Sequence, residues 1–294
     1  MPKPFISVLI DTYNHERFIE QAIASVLEQD VAQADREIIV VDDGSTDRTP
    51  EIVRKFEPQV RLIRKANGGQ ASAFNTGIPE CSGQIIAFLD GDDYWLPGKL
   101  SRVRGVLEKN SAVGFVGHAI KESLPDGQER ISAPAQDEKF RIQSVESARL
   151  FRLRKSSLGT SRMTMRAEIA RRILPVPESL VFEADEYLFT LAAAMSEIVI
   201  LREALTCYVI HGSNLYVSAG SGTAGLRRKQ QVMTALASCL QVALQAQGLA
   251  ADIVDCVVEI VQAEADQFDG GAPWQTVRAK NAATLVLRGS AMGG

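Results

Sequence analysis

The sequence predicts an α/β fold, in which helices flank a mostly parallel central sheet and a helical extension follows. In residues 5–110, short β-branched apolar runs alternate with segments of helical periodicity, which is typical of strand–helix–strand units with parallel strands. The three clearest runs, at 5–10, 37–41 and 84–89, each end in polar or acidic residues. Such folds bind ligands outside the carboxyl ends of their strands, so these polar residues lie where a ligand site is expected.

The first third of the chain is predicted to contain four strand–helix pairs. The run EIIVV at 37–41 is continuous rather than alternating, as expected for a strand that is covered on both faces. Pro97 suits the first position of a helix, where its missing N–H costs nothing. We predict strands at 5–10, 37–41, 60–63 and 84–89, and helices at 18–27, 47–56, 70–78 and 97–109.

The rest of the chain is less regular. Short strands are predicted at 199–201 and 204–210, and the small residues of 218–225 are typical of a linker. We therefore expect one domain at 1–217 and a linker with a helical region at 218–294. The helical patterns of that region cover 226–247, 250–267 and 273–288.

Composition excludes several classes of protein. The chain has 294 residues, with 32 basic and 36 acidic side chains and a net charge of −4, which is not the charge of a generally basic nucleic-acid binder. No apolar run approaches the length of about 20 residues that a membrane span needs. The first residues lack the apolar core of a signal peptide, so we expect a cytoplasmic protein.

Cysteine and histidine spacing predicts no metal site of the zinc type. The four cysteines lack CxxC spacing, so free buried thiols are favoured over a disulfide framework. The three histidines are too scattered in sequence to suggest a histidine cluster. His211 becomes interesting only if it faces a cation or a diphosphate.

The sharpest chemical signal is Asp90-Gly91-Asp92-Asp93. Three carboxylates within four residues repel one another unless a cation lies among them, and hard oxygen ligands suit Mg²⁺ or Mn²⁺. A solvated acidic turn is the alternative. The position directly after a buried strand favours the metal site.

Two further segments each leave a structural alternative open. One is the acidic turn Asp42-Asp43-Gly44-Ser45-Thr46-Asp47. Ser45 or Asp47 is expected to cap the next helix, while Asp43 is expected to point into the ligand cleft at the carboxyl ends of the strands. Tyr13 could stack on a nucleobase or be an ordinary packed side chain.

The remaining motifs lie at predicted helix starts. Asn67-Gly68-Gly69-Gln70 would leave backbone N–H groups free for a phosphate, although Asn-Gly is foremost a turn signal. Glu183-Ala184-Asp185-Glu186 could favour the helix dipole or present a general base.

Taken in order, these segments resemble the family 2 glycosyltransferases, inverting enzymes of the GT-A fold that use nucleotide-diphosphate sugars. The resemblance covers about 5–217 and implies a nucleotide-sugar-binding half at 1–110 and an acceptor-binding half at 111–217. The segments that carry it are SVLIDTYNHERFIEQAIASVLEQ, IIVVDDGSTD, NGGQASAFNTGI and IIAFLDGDDYWLPGKL, with EADEYL and YVIHGSN later.

The resemblance implies a nucleotide pocket. Thr12 and Tyr13 would contact the nucleobase and ribose, with Tyr13 as the stacking aromatic. Asp43 would hydrogen-bond the base edge. Gly69 and Asn75 would line the pocket.

The resemblance also implies the reaction centre. Asp90 would contact the ribose or the sugar, and Asp92 would hold a divalent cation, Mn²⁺ or Mg²⁺, on the diphosphate. His211 would approach the metal or the diphosphate. Asp185 would be the general base that deprotonates the acceptor hydroxyl, with its neighbours Glu183 and Glu186 as rivals.

Three positions depart from the family pattern. Asp11 stands where proline is common, Phe74 where arginine is frequent, and Val209 where arginine often precedes the histidine. None of them removes a residue that the chemistry requires. They do put donor specificity in doubt.

These features predict a metal-dependent transferase that moves a sugar to a glycan or lipid-linked acceptor, as in bacterial surface polysaccharide synthesis. A protein or small-molecule acceptor is the alternative within the enzymes. A non-catalytic binding module of the same fold is the alternative outside them, and the joint presence of the acids argues against it.

Two surfaces suggest partners. Residues 139–172 hold ten basic side chains against two acidic ones, which indicates a solvated surface, peripheral contact with the inner face of a membrane or recognition of a pyrophosphate-linked acceptor. Met233, Leu236, Leu240 and Leu244 form a helical stripe that either packs on the rest of the chain or joins a homo-oligomer.

Overall fold

The structure is a computed structural model that describes residues 5–154, 158–212, 214 and 222–268. In this part of the chain, one sheet has the strand order β3-β2-β1-β4-β9-β6-β10-β5, with β7 beside β6 and β8 beside β10. The strands are β1 (Ile6–Thr12), β2 (Arg36–Asp42), β3 (Arg61–Arg64), β4 (Ile85–Asp90), β5 (Tyr94–Trp95), β6 (Val113–Ser123), β7 (Glu129–Ser132), β8 (Glu138–Phe140), β9 (Thr164–Arg166) and β10 (Glu197–Val209).

Helices flank this sheet and form the C-terminal part of the described chain. They are α1 (Ile19–Leu27), α2 (Thr49–Arg54), α3 (Gln70–Glu80), α4 (Lys99–Lys109), α5 (Val145–Arg154), α6 (Ala167–Ile173), α7 (Ala184–Met195), α8 (Gly222–Ala246) and α9 (Ala251–Asp266). The predicted α/β class with C-terminal helices is therefore confirmed.

The first four strands are parallel, as predicted. β1 pairs with β2 on one side and β4 on the other, so that Thr12 lies beside Asp42 and Asp11 lies beside Asp90. The apolar residues of β1 and β4 are buried, which explains their continuous hydrophobic runs. The polar residues that end these strands therefore meet at one edge of the sheet.

The second half of the sheet is mixed. β9 pairs antiparallel with both β4 and β6, whereas β6 and β10 are parallel. The two short strands predicted at 199–201 and 204–210 are one continuous strand, β10. Its register against β6 shifts between Leu201 and Ala204, so Arg202 and Glu203 form an irregularity within the strand rather than a break.

The helix predicted to begin at Pro97 begins two residues later. Gly98 has a left-handed conformation with φ of 82°, and α4 starts at Lys99. Pro97 therefore belongs to the turn that leads into the helix.

The chain divides into two compact units. The first contains residues 1–141 and 156–211, and the second contains 142–155 and 212–294. The first unit holds the whole sheet and every residue of the candidate site. The boundary predicted at 217 lies outside the described residues, and 142–155, predicted to belong to the acceptor-binding half, group with the C-terminal helices.

The second unit is helical. Within it, α9 packs against both α8 and α5, and the Arg152 guanidinium donates a 2.9 Å hydrogen bond to Glu264. The stripe of Met233, Leu236, Leu240 and Leu244 is buried, which favours packing over an oligomer contact for these four residues. The helix predicted at 273–288 lies outside the described residues.

Several arginines of the basic stretch 139–172 bind groups of the chain itself. Arg166 donates to the carbonyls of Val113 and Leu107, and Arg171 donates to the carbonyl of Cys81. Membrane contact through this stretch stays a prediction. Among the described residues, no helix combines the length and apolarity needed to cross a membrane.

Candidate active site

Asp43 organises the loop that leads into α3. Its carboxylate accepts hydrogen bonds from the N–H groups of Gly68 and Gly69, from the amide of Asn67, and from Nζ of Lys65 at 2.6 Å. Asp43 is only 4% exposed. The chain therefore satisfies this buried carboxylate with four donors of its own.

Gly69 brings the loop close to a neighbouring segment. Its φ is 83°, and a Cβ at this position would lie 2.7 Å from Cα of Val181. Both the left-handed φ and the close approach require glycine. The loop is held there by the N–H of Gln70, which donates to the carbonyl of Val181 at 3.0 Å.

The turn after β2 is closed by hydrogen bonds to the segment after β1. The N-cap residue of α2 is Arg48, without a side-chain cap, so the prediction that Ser45 or Asp47 caps this helix is wrong. Asp47 lies one residue earlier, and its carboxylate accepts the N–H of Thr49, the first residue of α2. The Ser45 hydroxyl instead accepts the N–H of Asn14. Tyr13 is 44% exposed, so it is not the packed core side chain of the alternative interpretation.

The acidic turn after β4 forms a cluster of carboxylates. Ligand oxygens of Asp90, Asp92 and Asp93 lie within 4.8 Å of one another. Asp11, directly opposite Asp90 in the sheet, adds a fourth carboxylate to this cluster. Its Oδ1 is buried without a hydrogen-bond partner among the described residues.

The carboxylates of this cluster resist losing their protons together. Burial and then the charge of Asp92 raise the pKa of Asp11 to about 8. Burial also raises the pKa of Asp90 and of Asp93 well above the ordinary value, with added repulsion from the neighbouring acids. Mutual repulsion of this kind is relieved when a cation lies among the carboxylates.

Asp92 differs from its neighbours because two imidazoles flank it. Nε2 of His211 lies 3.2 Å from Oδ2 of Asp92, and Nε2 of His15 lies 3.7 Å from the same oxygen. Burial alone would raise the pKa of Asp92, but the contact with His211 and the charge of His15 outweigh burial and lower it. Although the histidines are scattered in sequence, the fold brings two of them to one carboxylate.

His15 was not among the predicted site residues. The only sequence signal for it is its position three residues after Thr12, just beyond the end of β1. Burial lowers the pKa of His15.

Asp185 lies in the first turn of α7. Its Oδ1 accepts the N–H of Glu186 at 2.8 Å, and its Oδ2 accepts the N–H of Thr160 at 3.1 Å. Burial, followed by the charge of Glu186, raises its pKa above the ordinary value of 3.8. These hydrogen bonds orient the carboxylate and lower its pKa. Burial and the charge of Glu186 outweigh them, so Asp185 is a stronger base than an exposed aspartate.

The short 3-10 turn Thr160–Arg162, here called the bridging turn, connects Asp185 with the acidic cluster. The hydroxyl of Ser161 accepts the N–H of Asp90 at 3.0 Å. The carbonyl of Ser161 accepts three side-chain donors, from Trp95, Lys99 and Thr206. The bridging turn is thus fixed from several elements of the sheet unit.

Gln70 joins this arrangement to Asn67-Gly68-Gly69, the loop that leads into α3, here called the glycine loop. Its Nε2 donates to Oγ1 of Thr160, and its Oε1 accepts the N–H of Ala184, both at 2.9 Å. Both contacts lie next to Asp185, one in the bridging turn and one at the start of α7. Neither was predicted.

Asn75 is not brought together with the other predicted site residues. Both ends of its amide are hydrogen-bonded to the backbone of Val176, at 2.7 and 2.8 Å, so here it holds a loop. Phe74 is buried and packs edge-on against Phe88 at a centroid distance of 5.5 Å. Phe74, which stands where the family often has arginine, therefore packs in the core.

The residues of the acidic cluster fit a divalent cation. The donor set is oxygen-rich, and the orphaned Oδ1 of Asp11 together with the raised pKa values marks an excess of negative charge. Carboxylate oxygens are the ligands that Mg²⁺ and Mn²⁺ prefer.

Comparison with known proteins assigns the family. The model of the family described as Glycosyl transferase family 2 matches residues 7–173, which is more than half of the chain. The chain belongs to this family. It is therefore a glycosyltransferase, as the sequence predicted.

Relatives of this glycosyltransferase occur in bacteria. An uncharacterized glycosyltransferase of Nostoc sp. is 33% identical over 233 residues, which cover 77% of this chain and 71% of the relative. A putative teichuronic acid biosynthesis glycosyltransferase of Bacillus subtilis is 35% identical over 123 residues, which cover 40% of this chain and 48% of that one.

Solved structures confirm the GT-A fold. A mannosyltransferase from Pyrobaculum calidifontis, solved in complex with GDP-Man and Mn²⁺, matches with a TM-score of 0.61 at 19% identity. The match covers 99% of this chain and 76% of that one. At this identity the likeness shows the fold alone.

Proposed function

We propose that this family 2 glycosyltransferase is metal-dependent and inverting, and that it transfers a sugar from a nucleotide-diphosphate sugar to a hydroxyl of a glycan or lipid-linked acceptor. One observation carries the proposal: the bridging turn bonds directly both to Asp185 and to Asp90. A base and a metal-binding cluster held by one turn are the two groups that a single displacement needs. The Bacillus subtilis relative supports a role in surface polysaccharide synthesis.

The donor's nucleotide would lie beside the segment after β1. Tyr13 is exposed and available for stacking on the base, and Thr12 precedes it at the end of β1. Gly69 allows the glycine loop to lie close to Val181. The contact of Asp43 with the base edge stays a prediction, because its carboxylate already accepts several donors of the chain.

Asp92 and His211 would hold the cation, with Asp90 turned towards the ribose or the sugar. A bound Mn²⁺ or Mg²⁺ supplies Lewis-acid neutralisation of the negative charge that develops on the leaving diphosphate. His211 is kept in place by Phe18, whose ring stacks on it at 4.3 Å. The imidazoles of His211 and His15 both lie beside the carboxylate of Asp92 and orient it.

Asp185 would act as the general base. Its carboxylate accepts the proton of the acceptor hydroxyl, and its raised pKa strengthens it for this step. Because one displacement inverts the anomeric centre, a single carboxylate is sufficient, unlike the pair that glycoside hydrolysis uses. The N–H groups of Thr160 and Glu186 hold the carboxylate in one orientation.

Calorimetry tests the donor and metal parts of this proposal. UDP, GDP, dTDP and CDP are titrated with and without Mn²⁺ into the wild type, Asp92→Ala and the control Asp126→Asn, an exposed acid of the turn between β6 and β7. We expect one nucleotide to bind in a metal-dependent way to the wild type and the control, and not to Asp92→Ala. Absence of nucleotide binding in folded wild type would contradict the proposal and favour a binding module.

A further inference from the structure

His15 and His211 reach the same oxygen of Asp92 from two different segments. His211 follows β10, and His15 lies between β1 and α1. The 3.2 Å distance from His211 is within the range of a hydrogen bond, but the 3.7 Å distance from His15 is too long for one. The imidazole of His15 therefore faces Asp92 across a gap.

The ring of His15 is held in this orientation by its other nitrogen. Nδ1 of His15 lies 3.2 Å from Oγ1 of Thr12, which is buried. Histidines that bind metals almost always engage their second nitrogen in such a contact, which fixes the ring and its tautomer. Nε2 is consequently the nitrogen that is presented to Asp92.

Packing around both rings supports the same arrangement. Phe18 stacks on His211 and meets His15 edge-on, with centroids 6.5 Å apart and planes at 80°. Gly91 lies directly against the pair formed by Thr12 and His15. A Cβ at Gly91 would come within 2.5 Å of Oγ1 of Thr12 and 2.9 Å of Nδ1 of His15, so the glycine between the two acids makes room for His15.

The distances suit ligands of one ion. Two ligand atoms at about 2.1 Å from a metal are about 3.0 Å apart at adjacent octahedral positions and about 3.4 Å apart in a tetrahedron. Nε2 of His211 and of His15, at 3.2 and 3.7 Å from Oδ2 of Asp92, are close to these values. Small side-chain movements would bring both nitrogens to the same cation.

We propose that His15 is a protein ligand of the cation, so that Asp92, His211 and His15 bind it through one oxygen and two nitrogens. The inference rests on the proposed function and extends it to metal choice. Imidazole nitrogen suits transition metals, whereas Mg²⁺ prefers oxygen. The site therefore selects Mn²⁺ over Mg²⁺.

Direct metal binding tests this inference without measuring activity. Mn²⁺ is titrated into the metal-free protein, alone and with UDP or GDP, and the free ion is followed by its electron paramagnetic resonance signal. The variants are His15→Ala, His15→Gln, which keeps the size of the side chain, Asp92→Ala, which removes the shared oxygen, and the neighbouring control Glu16→Gln. Thermal unfolding of each variant verifies that it is folded.

We expect both His15 variants to bind Mn²⁺ at least about tenfold more weakly than the wild type, with Mg²⁺ binding less affected and Glu16→Gln unchanged. Co²⁺ in place of Mn²⁺ gives a visible absorption band that should shift when the nitrogen is lost.

Two results would overturn the inference. One is wild-type Mn²⁺ affinity in both His15 variants while Asp92→Ala loses binding. The other is a loss of nucleotide affinity in the His15 variants that is the same with and without metal, which would make His15 a contact of the diphosphate. A wild type that binds Mn²⁺ through His15 but binds no nucleotide supports the inference and refutes the proposed donor.

Discussion

Two acidic turns follow β2 and β4, the strands on either side of β1, and they differ in how their charge is balanced. After β2, Asp43 is surrounded by donors of the chain, including Nζ of Lys65. After β4, the carboxylates of Asp90, Asp92 and Asp93 face one another, and the Oδ1 of Asp11 has no partner among the described residues. Both turns look alike in sequence, but donors of the chain balance the charge of the first, whereas the carboxylates of the second lie close to one another.

Asp185 combines features of both turns and gives the largest expected effect. It is hydrogen-bonded like Asp43, yet its pKa is raised like those of the cluster. Asp185→Asn should lower kcat by about 10²–10⁴-fold, because general-base catalysis is lost, while calorimetry shows unchanged donor binding. Wild-type turnover in this variant would show that another group is the base.

The pH dependence of kcat provides a second check on Asp185. A carboxylate must be unprotonated to accept a proton, so kcat should fall as pH decreases through its pKa. Because that pKa is raised, the fall should begin at a higher pH than the ordinary value of 3.8 predicts. A rate that is flat down to that value would contradict the assignment.

Stability measurements should separate the two acidic turns. Asp43→Ala leaves Lys65 and several N–H groups without their buried partner, and we expect a loss of about 3 kcal/mol in the free energy of unfolding. Mn²⁺ should not restore it. The same measurement on Asp92→Ala in metal-free protein should show a smaller loss, because that substitution also removes repulsion.

A positioning role for Gln70 predicts a change in rate rather than in binding. Gln70→Met keeps the length of the side chain but loses both contacts beside Asp185. We expect kcat to fall about tenfold, which corresponds to about 1.4 kcal/mol, with the KM for the donor unchanged. If only the melting temperature changes, Gln70 has a purely structural role.

The smallest effect should come from Asp11. Its pKa of about 8 lies above that of an unfolded aspartate, about 3.9. The stability linked to its proton is therefore present below the unfolded pKa and is lost progressively as pH rises to about 8. Asp11→Asn, which has no charge to bury, should therefore be more stable than the wild type at pH 9 by at least about 1 kcal/mol. The gain should be smaller at pH 6 or when Mn²⁺ is present.

Local pattern was enough to predict the parallel strands β1–β4 and the polar residues that follow β1, β2 and β4, whereas β5–β9 were not predicted. Parallel pairing then brings Asp11, Asp42 and Asp90 to one edge, as alternation of strands and helices implies. The direction of each side chain depends on packing between distant segments, which periodicity does not encode. The contact of His15 with Asp92 and the use of the Asn75 amide by Val176 are two results of that packing.

The helix α5 has a consequence for protein production. It lies in the chain between strands of the sheet but belongs to the unit of the C-terminal helices, where its Arg152 meets Glu264. A shortened gene that stops after His211 would retain α5 without α8 and α9. Such a fragment would remove Glu264, a hydrogen-bond partner of Arg152, and would expose to the solvent the face of α5 on which α9 packs. An expression plasmid for the sheet unit should therefore replace residues 142–155 with a short polar loop.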